Sequence, residues 1–206
     1  MYTREYTLGV VASNPRVLLD RETRRESILQ AAATAFAHQG FASTSMDDVA
    51  AEAGITRLIL YRHFDSKEAL YIAVLTRVRD RFTEEFIEGA EGRRALSAIR
   101  ALLVVARENP DAVVLLWRHA AREPQFAPYA EAFRERTVEF ARALLAPTSL
   151  SGGPSEMWAA ETLVSFVFDA LLHWLEDGSP ARDDEFLTLI GASLPALVSV
   201  WAAAGN

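Results

Sequence analysis

Apolar residues recur along most of the chain at the three- and four-residue spacing of amphipathic helices, and the alternation typical of β-strands is nowhere sustained. Gly, Pro, Asn and Ser residues between the apolar stripes end one helix and begin the next. The first stripe runs from Ile28 to Phe36, with Asp20 as a candidate N-cap and Gly40 as a stop. The pattern predicts an all-α fold of about nine helices.

The first three helices are predicted to be short, and the later ones are longer and more apolar. Thr44 or Ser45 can cap a second helix that ends at Gly54, and Thr56 can cap a third. A long fourth helix begins after Asp65. The remaining helices are predicted near 93–108, 110–122, 128–146, 155–177 and 183–204.

The third predicted helix exposes side chains that suit the wall of a DNA groove. Leu60 and Phe64 lie four residues apart and can anchor this helix in the core, so its other faces must be exposed. Arginine can bond guanine edges or phosphates, Ile59 can contact thymine methyl groups, and Tyr61 and His63 can donate to phosphates. The free N–H groups that begin the next helix also favour a phosphate. The candidate DNA-binding residues are Thr44, Ser45, Thr56, Arg57, Leu58, Ile59, Tyr61, Arg62, His63 and Lys67.

Residues 36–70, which read FAHQGFASTSMDDVAAEAGITRLILYRHFDSKEAL, carry many marks of a known DNA-binding domain. With the residues from Ile28 onward, this segment resembles the DNA-binding domain of the TetR/AcrR family of transcriptional regulators. The resemblance covers about the N-terminal third of the chain. It implies that the rest forms a divergent helical domain that binds a small molecule and dimerises through its last two helices.

The chain departs from the family pattern at two neighbouring positions. Leu58 and Ile59 stand where family members usually have small or hydroxylated residues. Both positions face or border the groove, so the base sequence that is read here should differ from that of relatives. The domains implied are a flexible tail at 1–19, a helix-turn-helix DNA-binding domain at 20–66, and a ligand-binding and dimerisation domain at 67–206.

Charge and composition narrow the class of function. The net charge of −7 speaks against a general polyanion binder, and residues 20–72 hold six Lys or Arg against eight Asp or Glu. DNA affinity must therefore come from a few well-placed groups. The chain has no cysteine, no glycine-rich phosphate loop and no paired metal-binding histidines, so we predict neither an enzyme nor a cofactor or metal site.

Aromatic residues are concentrated between Leu102 and Trp174. Most aromatic clusters in helical bundles are core, but an apolar cavity with a few polar groups is the usual site for a hydrophobic ligand. We therefore predict a pocket for a small apolar or aromatic ligand. The candidate ligand-binding residues are Trp117, His119, Phe126, Tyr129, Phe133, Phe166, Asp169 and His173.

The last two helices carry apolar stripes that are too broad for one partner. The stripe from Leu187 to Trp201 and the one from Leu163 to Trp174 predict a homodimer through the helices near 155–177 and 183–204. The residues after Leu187 include no charge, which raises the possibility of a membrane span. Pro195 in the middle and the absence of Lys or Arg after Arg182 favour a packing helix instead.

Together these observations predict a ligand-responsive, sequence-specific transcriptional regulator that binds a palindromic DNA operator as a homodimer. We interpret it as a cytoplasmic repressor with no membrane association. Arg4 and Arg16 of the tail could reach a neighbouring minor groove, but a disordered tail without such a contact is the favoured interpretation. The alternative is a helical small-molecule-binding protein whose helix-turn-helix domain no longer binds DNA.

Overall fold

The computed structural model of the chain describes residues 20–89 and 95–204, and all regular structure in those ranges is helical. Its nine α-helices are α1 (Arg21–Gln39), α2 (Met46–Glu52), α3 (Arg57–Tyr61), α4 (Lys67–Gly89), α5 (Ala95–Glu108), α6 (Pro110–Val114), α7 (Ala127–Leu145), α8 (Glu156–Asp177) and α9 (Asp183–Ala204). The predicted all-α class and helix number are confirmed. The expected flexible tail at 1–19, with Arg4 and Arg16, lies outside the described residues.

Side-chain caps determine where the first three helices begin. Asp20 accepts hydrogen bonds from the N–H groups of Glu22 and Thr23, both at 2.9 Å, and so caps α1. Ser45 caps α2 in a capping box with Asp48, because each side chain accepts from the other residue's backbone N–H. The predicted starts of these helices are therefore correct.

A tight turn at Gly54 sets α3 against α2. Gly54 has a φ of 62°, and a Cβ atom added there would meet nothing within 4 Å. The turn needs glycine for its left-handed backbone rather than for space. Thr56 then caps α3 by accepting from the N–H of Ile59 at 3.4 Å.

Packed aromatic rings and a side-chain hydrogen bond join the region of α1 to α4 with α6 and the start of α7. Tyr71 of α4 stacks on Phe126 at 4.2 Å between centroids, and Phe41 packs edge-on against Phe126 at 4.7 Å. The Thr34 hydroxyl of α1 donates to a carboxylate oxygen of Asp111 in α6 at 2.7 Å. A shift of α6 or of the start of α7 will therefore be felt at α1 and at the α1–α2 loop.

An ion-pair network holds the start of α9. Arg107 of α5 donates to both carboxylate oxygens of Asp183, at 3.1 and 2.7 Å, and to the carbonyl of Gly178 at 3.0 Å. The Trp174 indole N–H also donates to Asp183, at 2.8 Å. These contacts tie α5, α8 and α9 together at one end of the larger domain.

Candidate nucleic-acid interface and ligand cavity

Helix α3 buries one face and exposes the other. Leu60 is completely buried and Phe64 nearly so, whereas Leu58 is 65% exposed and Tyr61 is 38% exposed. Arg62 is also exposed, and it makes no ion pair with any other residue that the structure describes. The outward face of α3 is therefore formed by arginine, tyrosine and leucine side chains, the groups that the sequence suggested for contact with DNA.

Arg57 is held in place at the start of α3. Its guanidinium donates to Asp47 of α2 at 2.8 Å and lies 5.3 Å from the centre of the Tyr61 ring. A hydrogen bond to the Tyr61 hydroxyl and the charge of Asp47 raise the pKa of Arg57. The pair with Asp47 is well exposed, so its net energy is small and a phosphate could replace the carboxylate.

A group of arginines in the first turns of α1 adjoins the end of α3. Burial lowers the pKa of His63, and the charges of Arg21, Arg24 and Arg25 lower it further. These three arginines therefore lie close enough to His63 to affect its charge, and the Arg25 guanidinium lies over the Phe64 ring, 5.3 Å from its centre. Sequence reasoning missed them as contact candidates, although the spacing of Arg21, Arg24 and Arg25 places them on one helical face.

Two of the candidate DNA-binding residues point into the protein instead. Thr44 is only 1% exposed, and its hydroxyl donates to the Gly40 carbonyl at 2.7 Å. Lys67 directs its ammonium group at the carbonyls of Phe41 and Thr44, both at 2.8 Å, and of Ala42 at 3.4 Å. Both residues therefore order the α1–α2 loop, because their donors are used within the chain.

The remaining candidates lie at the edge of α3 or cap a helix. Ser45 and Thr56 are exposed, but their side-chain oxygens already accept from backbone N–H groups of α2 and α3. Ile59 and His63 are half-buried. Leu58, by contrast, projects from the centre of the exposed face, where its bulk would meet a groove directly.

A large apolar cavity of about 1020 Å³ lies among α4, α5, α7, α8 and α9. Its lining includes Phe82, Ile99, Phe133, Phe140, Phe168 and Leu194. Among the residues that the structure describes, two arginines, Arg79 and Arg136, are the charged groups of the lining. A cavity with this composition suits an apolar molecule.

Of the eight side chains expected to form a ligand pocket, Phe133 lines this cavity and the other seven do not. Phe126 is buried against Phe41 and Tyr71, and Tyr129 is half-buried beside it. Trp117 stacks on the outer side of Phe168 at 4.1 Å. His119 is half-buried at the end of a π-helical turn, and Phe166, Asp169 and His173 lie exposed on α8. The aromatic density that marked these residues reflects packing behind the cavity wall, which is itself mostly aliphatic.

The outer surface of α8 and α9 carries apolar residues. Trp158 and Phe166 of α8 are 53% and 36% exposed, and Leu189 and Val200 of α9 are 55% and 66% exposed. The stripe from Leu187 to Trp201 that was expected at a dimer interface instead faces the chain's own core, where Leu187 and Ile190 are buried. The exposed residues Leu189 and Val200 lie on the opposite side of α9.

Residues Pro180–Ala204 form a helix that is long and apolar enough to span a membrane by length and composition. An 18-residue stretch of it has a mean hydropathy of 1.8, and 17% of that stretch is buried. The same helix is tethered through Asp183 and lines the cavity with Leu194 and Val198. A packing helix with one uncovered side accounts for this composition.

The sequence and the fold both match known regulatory proteins. Residues 28–74 match the family described as bacterial regulatory proteins, tetR family. The chain is 27% identical over 172 residues to the HTH-type transcriptional activator FasR of Mycolicibacterium smegmatis, a match that covers 81% of this chain and 78% of FasR. Other curated transcriptional regulators match over about half of their length.

Solved structures share the fold of almost the whole chain. A TetR-like transcriptional regulator from Rhodococcus sp. RHA1 superposes with a TM-score of 0.72 at 24% identity, covering 91% of this chain and 100% of that one. AibR, solved in complex with isovaleryl coenzyme A and operator DNA, superposes with a TM-score of 0.63 at 21% identity, covering 84% of this chain and 98% of AibR.

Proposed function

We propose that this chain, a member of the tetR family of bacterial regulatory proteins, is a homodimeric repressor that leaves its operator when a small molecule fills the cavity of its larger domain. The coarser function, a DNA-binding transcriptional regulator, follows from the family match at residues 28–74. The observation that supports DNA contact through α3 is the exposed face of this helix, where Arg57, Tyr61 and Arg62 stand clear of the core.

Two arginines of α1 lie where a positive charge destabilises the helix, and this position supports a role for them in DNA contact. Arg21 and Arg24 occupy the first turns of a helix, where the macrodipole makes a positive charge destabilising. Neither forms an ion pair within the described ranges, so the fold itself gains little from them. Phosphates of a duplex on α3 would supply the missing negative charge. The proposed contacts are Arg21, Arg24, Arg57, Leu58, Tyr61, Arg62 and His63.

Helix α4 offers a direct route from ligand to DNA. Its first residue, Lys67, pins the loop before α2, and Phe82 near its other end lines the cavity. The 23 residues of α4 form one rod of about 35 Å. A ligand that displaces the cavity end of this rod would reorient the DNA-binding domain. AibR is bound to both a small molecule and operator DNA, so a protein with this fold can hold both.

Dimerisation would match the two reading helices to a palindrome. Leu189 and Val200 lie eleven positions apart, close to three helical turns, so they share one side of α9. Small residues, Ala192 and Ala196, lie exposed between them and allow close approach of a second copy. Two copies joined here would present two α3 helices to half-sites spaced by whole turns of DNA.

We also propose that the protein represses transcription and that it resides in the cytoplasm. A dimer that binds without ligand and leaves with it acts as a repressor wherever its operator overlaps a promoter. FasR, by contrast, is named an activator. A promoter-reporter strain with and without this protein measures the sign of regulation, and reporter output that rises with the protein would contradict repression.

The test is selection of bound duplexes from a random pool, followed by competition with apolar ligands. We expect a palindromic sequence, two protomers per duplex and release by a ligand that fills the cavity. Failure to bind any duplex at low salt, where phosphate contacts are strongest, would favour the alternative of a ligand-binding protein without DNA affinity.

A further inference from the structure

Within the described ranges, the lining of the cavity combines an apolar wall with one unpaired cation. Arg136 of α7 belongs to the lining and is exposed, so this residue lies where the cavity meets the surface. It makes neither a hydrogen bond nor an ion pair with the residues that the structure describes. Arg142, on the same helix, is bonded to both Glu139 and Glu156. An arginine left without a carboxylate beside an apolar cavity is suited to an anionic ligand group.

The second arginine of the lining is already partly neutralised. Arg79 donates from Nε and Nη2 to one carboxylate oxygen of Asp80, at 3.1 and 2.8 Å. Phe82 follows it by one turn of α4 and stacks at 5.2 Å on Phe133, which precedes Arg136 by one turn of α7. Arg79 and Arg136 therefore each lie one helical turn from the stacked Phe82–Phe133 pair. Because Arg79 is already paired with Asp80, the net positive charge that these two arginines offer a ligand is close to one.

We infer that the cavity binds an unesterified long-chain fatty acid, with its chain along the apolar wall and its carboxylate paired with Arg136. The inference rests on the ligand-responsive function proposed above. A planar guanidinium matches a carboxylate with two parallel hydrogen bonds. The volume of about 1020 Å³ is at the upper end for small-molecule sites and accommodates a long chain. A nucleotide-linked thioester carries several phosphate charges, whereas the described residues supply the lining with two arginines, one of them already paired with Asp80.

Calorimetric titration of the full chain, without DNA, tests this assignment with octanoate, dodecanoate and hexadecanoate and with the alcohols of equal length. We expect affinity to rise by about fourfold for each methylene that enters the cavity. Arg136→Gln should weaken binding of the acids by roughly tenfold or more and leave the alcohols unchanged, because only the acids lose a charge-assisted bond. Arg136→Lys should be intermediate. Arg122→Gln, an exposed arginine outside the cavity, is the matched control.

Equal affinity for acids and alcohols, or an equal effect of Arg136→Gln on both, would overturn the assignment. So would tighter binding of hexadecanoyl coenzyme A than of hexadecanoate. A separate titration of the protein–DNA complex distinguishes this failure from failure of the proposed function. Acids that bind without releasing DNA would refute ligand-driven release alone, whereas an uncharged compound that releases DNA while no acid binds would refute the fatty-acid assignment alone.

Discussion

Arg57 and Tyr61 stand side by side on the outward face of α3, with the guanidinium 5.3 Å from the ring centre. Neither side chain is needed to fill the core, because Leu60 and Phe64 do that from the other face. Both side chains are therefore available for an intermolecular contact. The same reasoning applies to Arg21 and Arg24, whose positions weaken α1 rather than stabilise it.

Replacing Arg21 should separate DNA affinity from stability. In Arg21→Gln the stability should stay the same or rise by a few tenths of a kcal/mol, because a positive charge leaves the N-terminus of α1. The slope of log affinity against log salt should fall by about 0.9 for each protomer. Urea unfolding and fluorescence anisotropy at several salt concentrations measure the two effects. Arg100→Gln, far along the chain on α5, is the control, and an unchanged salt slope would exclude Arg21 from the interface.

Lys67 is the only lysine in a chain rich in arginine, and its compact ammonium group fits among converging carbonyl oxygens. A planar guanidinium does not fit such a site. We therefore expect Lys67→Arg to lower the free energy of unfolding by about 2 kcal/mol, the size of a charged hydrogen bond. A phosphate-contacting lysine would instead tolerate arginine. Stability equal to that of the parent chain in urea would contradict the structural role.

At the level of single residues, the sequence predicted the outward side chains of α3 but not the direction of Thr44 or Lys67. Helical periodicity separates Leu60 from Arg57 without further information. The hydroxyl of Thr44 and the ammonium group of Lys67 turn inward because loop carbonyls converge on them. That convergence arises from tertiary packing, which local spacing does not encode.

Helix boundaries followed from caps and stops at almost every position. Ser45, Thr56 and Asp20 each satisfy N–H groups that the helix cannot satisfy itself. The segment after α6 is different, because it continues as a π-helical turn over Leu115–His119 and a 3₁₀ turn over Ala120–Arg122. Its sequence has good helical periodicity, which does not distinguish these irregular turns from an α-helix. Trp117, within the π-helical turn, stacks on Phe168.

The start of α9 should be sensitive to acid through Asp183. Hydrogen bonds from Arg107, and a further one from Trp174, hold the pKa of this carboxyl below its ordinary value of 3.8. A lowered pKa stabilises the fold at all pH values above 3.8, and the contribution is lost as pH falls through the folded-state pKa. Asp183→Asn should therefore lower stability by about 2 kcal/mol at neutral pH and progressively less in acid.

Urea unfolding at neutral pH and below pH 3.8 checks this expectation. Asp184→Asn is the matched control, because the carboxylate of Asp184 is 96% exposed and lies 4.0 Å from the Arg100 guanidinium. A difference between Asp183→Asn and the parent chain that stays constant with pH would contradict the proposed network.

Among the described residues, α8 and α9 leave an apolar surface exposed where the sequence anticipated contact between two chains. Sequence periodicity identified α8 and α9 as the helices concerned, but it selected the stripe beginning at Leu187, which packs inward. Both sides of α9 are apolar, so composition alone could not tell the core side from the exposed one. The cavity was misplaced for a related reason, because aromatic residues such as Trp117 pack behind its wall.

A charge on the exposed stripe should separate the protomers. Leu189 is 55% exposed in a single chain, so Leu189→Glu should leave the fold intact. An unpaired carboxylate buried between two copies should weaken association by roughly 100-fold or more. Sedimentation analysis measures the mass, and Val104→Glu, at a comparably exposed apolar residue of α5, should leave it unchanged. A parent chain that sediments as a monomer would refute the dimer.

The affinity of the full chain for its selected duplex, compared with that of Arg57→Ala and Tyr61→Ala, tests the central claim most directly. Each half-site should lose about 1–3 kcal/mol, so a dimer should bind at least roughly 30-fold more weakly. Thermal unfolding should be unchanged, because both residues are exposed and the Arg57–Asp47 pair contributes little. Parent-like affinity in both variants would contradict the assignment of α3 as the helix that reads DNA.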